Sequence, residues 1–142
     1  MPLTADADIR TLLEGARTIA LVGASNRPER DSHEVMGVLL DWGYRVIPVN
    51  PNLAGKTIHG VRVVADIAGI EERIDIVDIF RRSEEVPAIV SDAIKAGARA
   101  IWMQLGVINA PAAAAAEAAG LKVVMNRCPK IDLPRLHVAR LK

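Results

Sequence analysis

A short apolar segment, Thr18 to Val22, leads directly into a turn of small residues. The turn, Gly23-Ala24-Ser25, is followed by Arg27 and Arg30 and, from about Ser32, by an amphipathic segment. This order is typical of the first strand, loop and helix of a nucleotide-binding βαβ unit, in which backbone N–H groups and the helix start hold a phosphate. The same residues also suit a tight strand-to-helix connection without a ligand. We favour phosphate binding, because the two arginines place positive charge beside the loop.

The loop departs from the dinucleotide fingerprint G-x-G-x-x-G. Gly23 holds the first glycine position, but Ser25 and Pro28 stand at the second and third. An NAD site also needs an acidic residue at the end of the second strand, about 20 residues after the glycine loop, to bind the ribose hydroxyls. Asn50, followed by Pro51, occupies that place and either faces a ligand or forms an Asx-Pro turn. We therefore expect a phosphate-bearing ligand other than NAD.

Gly55-Lys56-Thr57 imitates the end of the nucleotide-triphosphatase loop, G-x-x-x-x-G-K-[ST]. The first glycine of that motif falls on Asn50, and Ile58-His59-Gly60 makes a poor start for the helix that the motif requires. The sequence therefore argues against a triphosphatase loop. Lys56 remains a candidate point charge for a phosphate.

Phe80-Arg81-Arg82 follows the most apolar candidate strand. Paired arginines are common on solvated surfaces, but an aromatic ring beside two forked cations suits an adenine next to phosphates. Gln104 and Gly106 bracket the end of the next strand, where the glycine serves a turn or a ligand. Asp75 and Asp78 lie inside the strand before Phe80, and we expect them to mark a solvated or edge-facing side rather than a catalytic pair.

The chain contains one cysteine and three histidines. A lone Cys128 excludes an internal disulfide and a multi-cysteine metal site, which suits a reducing compartment. Arg127 and Lys130 flank it and make the thiol a candidate for redox or exchange chemistry, although lone cysteines more often serve packing. No histidine has partners at metal-ligand spacing, so we predict no metal site and structural or solvent-facing roles for His33, His59 and His137.

Size and composition narrow the class of protein. The 142 residues are 51% hydrophobic but only 3% aromatic, which predicts one domain with an aliphatic core. A net charge of +1 provides no global attraction for nucleic acid, so any basic ligand site must be local. The chain has no apolar run of about 20 residues and no signal pattern, which predicts a cytoplasmic protein without a membrane partner.

Apolar strand-like segments alternate with amphipathic helical segments along the chain. We predict main strands over residues 17–23, 44–49, 74–80, 100–105 and 121–125, a loop over 52–60 and an extended segment over 61–64. We predict helices over residues 4–16, 31–43, 83–96, 109–119 and 132–141, and a short helix within 65–70. Thr4 is the expected cap of the first helix, and Asp31 with Glu34 the expected capping box of the second.

Most of these strands are apolar on both faces, which indicates a parallel sheet covered on two sides. The predicted fold class is therefore α/β: one Rossmann-like, doubly wound, mostly parallel sheet with helices on both faces. Ligands of such sheets bind beyond the carboxyl ends of the strands, near the point where strand order reverses. We expect the basic and amide side chains that follow the strands to meet at that rim.

Five segments considered together resemble a known family. They are V-G-A-S-N-R-P-E-R-D-S (22–32), Y-R-V-I-P-V-N-P (44–51), D-I-V-D-I-F-R-R (75–82), W-M-Q-L-G (102–106) and V-M-N-R-C-P-K (124–130). The set resembles the small, stand-alone CoA-binding domain proteins (the YccU-like family), which are similar in fold to the CoA-binding N-terminal domain of the succinyl-CoA synthetase alpha subunit. The resemblance covers about residues 15–138, and we expect residues 1–142 to form one CoA-binding domain.

The resemblance implies coenzyme A as the ligand, with a role for each matching motif position. Gly23, Ala24 and Ser25 would meet the phosphates or ribose, and Arg27, Arg30 and Ser32 would help to neutralise the phosphates. Asn50 and Pro51 would border the nucleotide, Phe80, Arg81 and Arg82 would line the adenine and diphosphate region, and Gln104 and Gly106 would lie toward the pantetheine arm. Lys56 is included in this set because a lysine follows the second strand in the larger synthetases.

The synthetases act through a phosphorylated histidine in a second domain and an ATP-grasp partner, and no histidine here lies in a glycine-rich phosphohistidine loop. We therefore expect a non-catalytic module that binds CoA or an acyl-CoA as a carrier, sensor or regulatory subunit. A homo-oligomer or protein partner stays open. So do three alternatives: the cofactor-binding half of an enzyme (an acyl-CoA ligase or transferase, or an NAD(P)-dependent oxidoreductase), a thiol-redox protein that uses Cys128 to form a mixed disulfide with CoA, and a purely structural interaction protein.

Overall fold

A parallel sheet of five strands forms the centre of the protein, and the computed structural model describes residues 1–141. In chain order the strands are β1 (Thr18–Val22), β2 (Arg45–Val49), β3 (Thr57–Ile58), β4 (Val61–Arg62), β5 (Ile76–Ile79), β6 (Ala100–Met103) and β7 (Lys122–Met125). The sheet has the order β2-β1-β5-β6-β7, and β3 and β4 pair as a separate antiparallel hairpin. Strand order therefore reverses between β1 and β5, which is where doubly wound folds bind their ligands.

Helices cover both faces of this sheet. They are α1 (Asp6–Gly15), α2 (Asp31–Trp42), α3 (Val86–Lys95), α4 (Ala110–Ala118) and α5 (Pro129–Arg135), with 3-10 turns at Ile67–Gly69 and Ser83–Glu85. The buried residues of α1, α2 and α5 pack in one apolar cluster, and those of α3 and α4 pack in a second. The predicted α/β, Rossmann-like fold with helices on both faces is confirmed.

Alternation along β6 shows how one strand serves both clusters. Ala100 and Trp102 face the cluster of α1, α2 and α5, whereas Ile101 and Met103 face the cluster of α3 and α4. All four are buried, so the strand is apolar throughout, as both-sided burial requires. The indole of Trp102 keeps one polar contact, since its Nε1–H donates to the carbonyl oxygen of Arg127 at 2.8 Å.

Three local predictions about helix ends are wrong. Helix α1 begins after Ala5 without a side-chain cap, so Thr4 does not cap it. Helix α2 begins after Arg30, so Asp31 lies inside the first turn and does not cap it, and the carboxylate of Glu34 pairs with Lys130 of α5. The last helix lies earlier than the predicted 132–141: Pro129 fits the first turn, and the helix ends at Arg135.

The prediction for residues 52–64 is wrong in part, because the end of the predicted loop and the start of the extended segment form the β3–β4 hairpin. Asp78 also differs from expectation. It lies in the central strand β5, is only 1% exposed, and neither carboxyl oxygen has a hydrogen-bond partner within residues 1–141. Burial raises the pKa of Asp78 well above its ordinary value. Asp75 precedes the strand and accepts from the N–H of Arg17 at 2.8 Å.

Candidate functional site

The turn after β1 depends on glycine at its first position. Gly23 has φ +89°, and a Cβ added there would lie 2.3 Å from the carbonyl oxygen of Phe80. The backbone that leaves β1 thus lies directly against the backbone that leaves β5, where strand order reverses. The N–H groups of Gly23 and Ala24 both donate to the carbonyl of Val49, at 3.0 and 3.3 Å. These two N–H groups are therefore already bonded, and a phosphate would contact the later part of the loop instead.

Asn50 ties the end of β2 to this turn. Its Nδ2 donates to the carbonyl of Ala24 at 2.8 Å, and its Oδ1 accepts from the N–H of Asn52 at 2.9 Å. The second bond is an Asx turn, which was one of the two interpretations of the Asn50-Pro51 sequence. Asn50 also lines the cavities described below, so one residue shapes the loop and borders the space above it.

Three adjoining cavities form a groove along the carboxyl edge of the sheet. The loop cavity, about 410 Å³, lies over the β1–α2 connection and includes Ser25 and Ser32 in its wall. The α3 cavity, about 310 Å³, lies beside the first turns of α3. The α5 cavity, about 560 Å³, lies between the starts of α2 and α5. Arg81 lines all three and Phe80 lines two, so the end of β5 is their common wall.

Most of the residues singled out from the sequence lie in this groove. The turn, the arginines, the amides and the ring that line it are Gly23, Ala24, Ser25, Arg27, Arg30, Ser32, Asn50, Pro51, Phe80, Arg81, Arg82 and Gln104. Lys56 and Gly106 line none of the three cavities. The Gly106 N–H donates to Oδ1 of Asn126 at 2.8 Å, a bond that fastens the loop after β6 to the end of β7.

The arginines of the groove differ in whether a carboxylate of the protein already pairs with them. Within residues 1–141, Arg27 and Arg30 form no ion pair. Arg81 donates to Glu85 at 2.8 Å, and the Arg82 side chain lies 3.5 Å from the same carboxylate. The hydrogen bond from Arg81 holds the pKa of Glu85 below its ordinary value. Uncommitted positive charge is therefore concentrated at the loop cavity.

The α5 cavity has a different character. Its wall includes the ring of Phe80, the amide of Gln104 and the thiol-bearing Cys128, and its rim carries the half-exposed Leu105 and Ile131. Gln104 is 5% exposed, and its Oε1 has no hydrogen-bond partner within residues 1–141. A buried acceptor without a partner costs about 1–3 kcal/mol, so a ligand N–H that reaches this wall removes a penalty.

Some residues of the groove carried no sequence signal of a role in the site. Asp31, Glu34, Asp66 and Glu85 place carboxylates around it, and each belongs to a segment whose acidic residues suit helix starts in general. Glu34 pairs with Lys130 of a distant segment, whereas Glu85 pairs locally with Arg81 and Arg82. The cations beside Cys128 are also committed: Lys130 to Glu34, and Arg127 to Asp132, with two nitrogen–oxygen distances of 2.8 and 2.9 Å.

The histidines of residues 1–141 form no metal site with other ligating side chains. That part of the chain has no group of three or more His, Cys, Asp or Glu side chains placed to hold a metal ion. Two of the histidines instead meet each other: Nε2 of His59 lies 2.8 Å from the carbonyl oxygen of His33, and the rings are 4.1 Å apart. None of the five helices described combines the length and apolar character needed to cross a bilayer.

Comparison with known proteins places this groove in a family. The family model described as "CoA binding domain" matches residues 17–134, which include both the turn after β1 and the α5 cavity. The chain belongs to the CoA-binding domain family. The Bacillus subtilis protein YneT, described as uncharacterized, is 38% identical over 125 residues, covering 88% of this chain and 91% of YneT. The resemblance found in the sequence motifs is thereby confirmed.

Solved structures of the family have the same architecture. A hypothetical protein from Pyrococcus horikoshii is 39% identical and superposes with a TM-score of 0.90, covering 96% of each chain. A Thermus thermophilus protein is 33% identical, with a TM-score of 0.89 over 94% of this chain and 99% of its own. The dinucleotide-forming acetyl-coenzyme A synthetase 1 of Ca. Korarchaeum cryptofilum shares the fold at 22% identity, with a TM-score of 0.69 over 80% of this chain and 27% of the synthetase.

The residues of the groove fit the chemistry of CoA. CoA joins a phosphorylated adenosine and a diphosphate to a pantetheine arm with two amides and a terminal thiol. Free guanidiniums and the start of α2 at the loop cavity suit phosphates, whereas the unpartnered Gln104 acceptor suits an amide N–H. Because Gly23 has no Cβ, the backbone segments that leave β1 and β5 can lie in contact beneath the groove. Family membership thus supports a capacity to bind CoA.

Proposed function

We propose that the protein binds CoA or an acyl-CoA in this groove as a binding module without catalysis of its own, acting as a carrier, sensor or regulatory subunit. The observation that carries the proposal is the convergence of Arg27, Arg30 and Arg81 on the loop cavity, at the reversal of strand order between β1 and β5. CoA carries three phosphate groups. Arg27 and Arg30, which form no ion pair within residues 1–141, place uncommitted positive charge at this cavity, whereas Arg81 is already paired with Glu85. Ser25 and Ser32 add hydroxyl groups to the same wall.

The pantetheine arm is assigned to the α5 cavity. This cavity shares Phe80 and Arg81 with the loop cavity, so a ligand with its phosphates at the loop can continue into it without leaving the groove. Beyond the shared wall, the arm contacts Gln104 and residues at the start of α5. The ring of Phe80 stands between the two regions and can pack against the adenine or the arm.

An NAD(P)-dependent oxidoreductase is the less favoured function. An NAD site binds the ribose diol with an acidic residue at the end of the second strand, where this chain has Asn50. Both polar ends of the Asn50 side chain are bonded, one to the carbonyl of Ala24 and one to the N–H of Asn52. The residue therefore serves the loop and leaves the ribose of NAD without its usual carboxylate.

Titration calorimetry tests the proposal with CoA, dephospho-CoA, ADP and NAD on the same protein. We expect CoA to bind tightest, dephospho-CoA more weakly because one phosphate is missing, and NAD weakest. Arg27→Gln and Arg30→Gln should each weaken CoA about tenfold, the lower end of the range for a hydrogen bond to a charged group, since both arginines are exposed.

Arg62→Gln provides the matched control. Arg62 is an exposed arginine in β4 that lines none of the three cavities, so its loss removes the same charge away from the groove. CoA affinity should be unchanged in this variant. Binding of CoA no tighter than that of NAD, or equal weakening by all three arginine substitutions, would show that the groove does not select CoA.

A further inference from the structure

Cys128 lies where the α5 cavity meets the apolar core. It is the residue before the first turn of α5, has an extended backbone, and its side chain makes no cap hydrogen bond. It is 7% exposed and belongs both to the cluster under α1, α2 and α5 and to the cavity wall. Its thiol is the single sulfhydryl of the chain.

A second, independent feature marks the same wall as a contact surface for a ligand. Gln104, in the segment leaving β6, lines the α5 cavity with Cys128, and its Oε1 lacks a partner within residues 1–141. Natural proteins leave few buried polar atoms unsatisfied, so such an atom calls for an explanation. A ligand that carries N–H groups close to a thiol supplies one, and the pantetheine arm has this arrangement.

The orientation of CoA along the groove follows from the position of the groove's positive charge. Phosphates belong at the loop cavity with Arg27 and Arg30, and the neutral arm leads past Phe80 into the α5 cavity. The far end of that arm is the CoA thiol, and the wall of this cavity contains Cys128. Two sulfur atoms are thereby brought to one compartment, at the end of a groove that fixes the ligand by its other end.

Resting on the proposed CoA site, we propose that Cys128 is a covalent attachment point for CoA, forming a reversible mixed disulfide with its thiol. The co-reactant is a CoA-containing disulfide, such as oxidised CoA. The Cys128 thiolate attacks one sulfur of that disulfide, the original S–S bond breaks, and a bond forms between Cys128 Sγ and the sulfur of the CoA in the groove. The second CoA leaves as a thiolate and takes up the proton that Cys128 released, so no further oxidant is needed.

The consequence is a binding module whose retention of CoA depends on the redox state. Under reducing conditions the ligand exchanges freely. Where CoA disulfide accumulates, one CoA stays bound until a thiol attacks the mixed disulfide and reverses the exchange. The half-exposed Leu105 and Ile131 at the rim leave the cavity open, which gives the departing CoA a way out.

Intact-mass spectrometry with timed quenching measures the reaction. Freshly reduced protein is mixed with CoA disulfide or, separately, with 2-hydroxyethyl disulfide, a small disulfide without phosphates. We expect one CoA adduct per chain, reversed by dithiothreitol, and formed at least about tenfold faster than the small adduct, because binding at the loop holds the reacting sulfur near Cys128. Arg27→Gln should slow the CoA reaction about tenfold without changing the small-disulfide rate, whereas Arg62→Gln should change neither.

The outcomes separate this inference from the proposed function. Tight CoA binding by calorimetry together with equal rates for the two disulfides, or with no CoA adduct, would overturn the covalent role and leave CoA binding intact. Failure of CoA to bind would overturn both. A CoA adduct whose rate does not respond to Arg27→Gln would also overturn the inference, since the reaction would then not proceed from the groove.

Discussion

Asp78 offers the most direct test of the electrostatics inside this fold. It occupies the central strand β5, with Leu21 of β1 and Trp102 of β6 as its partners in register. It is 1% exposed, and neither oxygen of its carboxyl group finds a partner within residues 1–141. An ionised carboxylate there would lose its hydration with nothing in exchange, so burial raises the pKa of Asp78 and favours its neutral form in the folded protein.

The sign of the pH dependence follows from this difference between the two states. An aspartate in the unfolded chain has a pKa of about 3.9. Above that pH the unfolded state has released its proton while the folded state still holds one, so the free energy of unfolding falls as pH rises. The fall is about 1.4 kcal/mol per pH unit for one proton, and it ends at the pKa of Asp78 in the folded protein. The Asp78 contribution is fully present only below about pH 4.

Asp78→Asn isolates this effect, because asparagine has nearly the same size and is neutral in both states. Urea unfolding of both proteins, followed by circular dichroism from about pH 5 upward, gives the difference in their free energies of unfolding. Relative to the variant, the parent should lose about 1.4 kcal/mol for each pH unit until the carboxyl of the folded protein ionises. Asp92→Asn, which removes an exposed carboxylate of α3, should follow the parent. Parallel pH profiles for parent and Asp78→Asn would refute the argument.

Two further substitutions test the groove and the packing of α5. Gly23→Ala should lower the free energy of unfolding by more than about 2 kcal/mol and weaken the binding of CoA. The added Cβ would lie 2.3 Å from the Phe80 carbonyl oxygen, and the backbone there has a φ of +89°, which strains any residue with a Cβ. Gly55→Ala has a similar φ of +86° but open space, so it should cost only about 1 kcal/mol, and equal losses in chemical denaturation would contradict the steric argument. Asp132→Asn should cost about 2 kcal/mol, since the 2% exposed carboxylate binds Arg127 at 2.8 and 2.9 Å and Arg135 at 3.1 Å. A thermal unfolding midpoint unchanged from the parent would show that these bonds contribute nothing.

The sheet could be predicted because its strands carry a strong and redundant signal. The segment before Gly23 is a nearly continuous apolar run that ends in turn residues, a pattern that parallel strands buried on both faces require. Glycines placed the helix ends equally well: Gly43 stops α2 in the left-handed region at φ 105°. Alternation of the two element types then determined the fold class.

Elements whose position depends on distant contacts were predicted less well. Residues 136–138 look helical from their spacing, but Leu136 and Val138 pack into the core beyond the end of α5, and His137 adopts φ 55°. The β3–β4 hairpin has two residues in each strand, too few for periodicity to reveal. Asp78 misled the prediction because a polar residue in a strand normally marks a solvated side.

The rim of the site was predictable for a topological reason, and its ion pairs were not. Parallel strands deliver their carboxyl ends to one edge, so residues such as Ser25, Asn50 and Gln104 had to converge once the fold class was known. Which cations are already paired depends on the packing of α2 against α5 and on the turn that begins α3. Neither Glu34 nor Glu85 was predicted to pair with a cation of the site, although both decide how much charge a ligand meets.

That distribution of charge gives the groove a direction. Exposed ion pairs such as Arg82 with Glu85 contribute only about 0–1 kcal/mol, so an incoming phosphate can compete for the paired arginines at little cost. At Arg27 and Arg30 it has no competitor among the described residues, and the strongest attraction lies at the loop cavity. From there the wall changes to the ring of Phe80, the amide of Gln104 and the thiol of Cys128. Phosphates, amides and a terminal thiol follow one another in the same order along CoA. This match in order adds to the convergence of arginines on the loop cavity as support for the proposed CoA site.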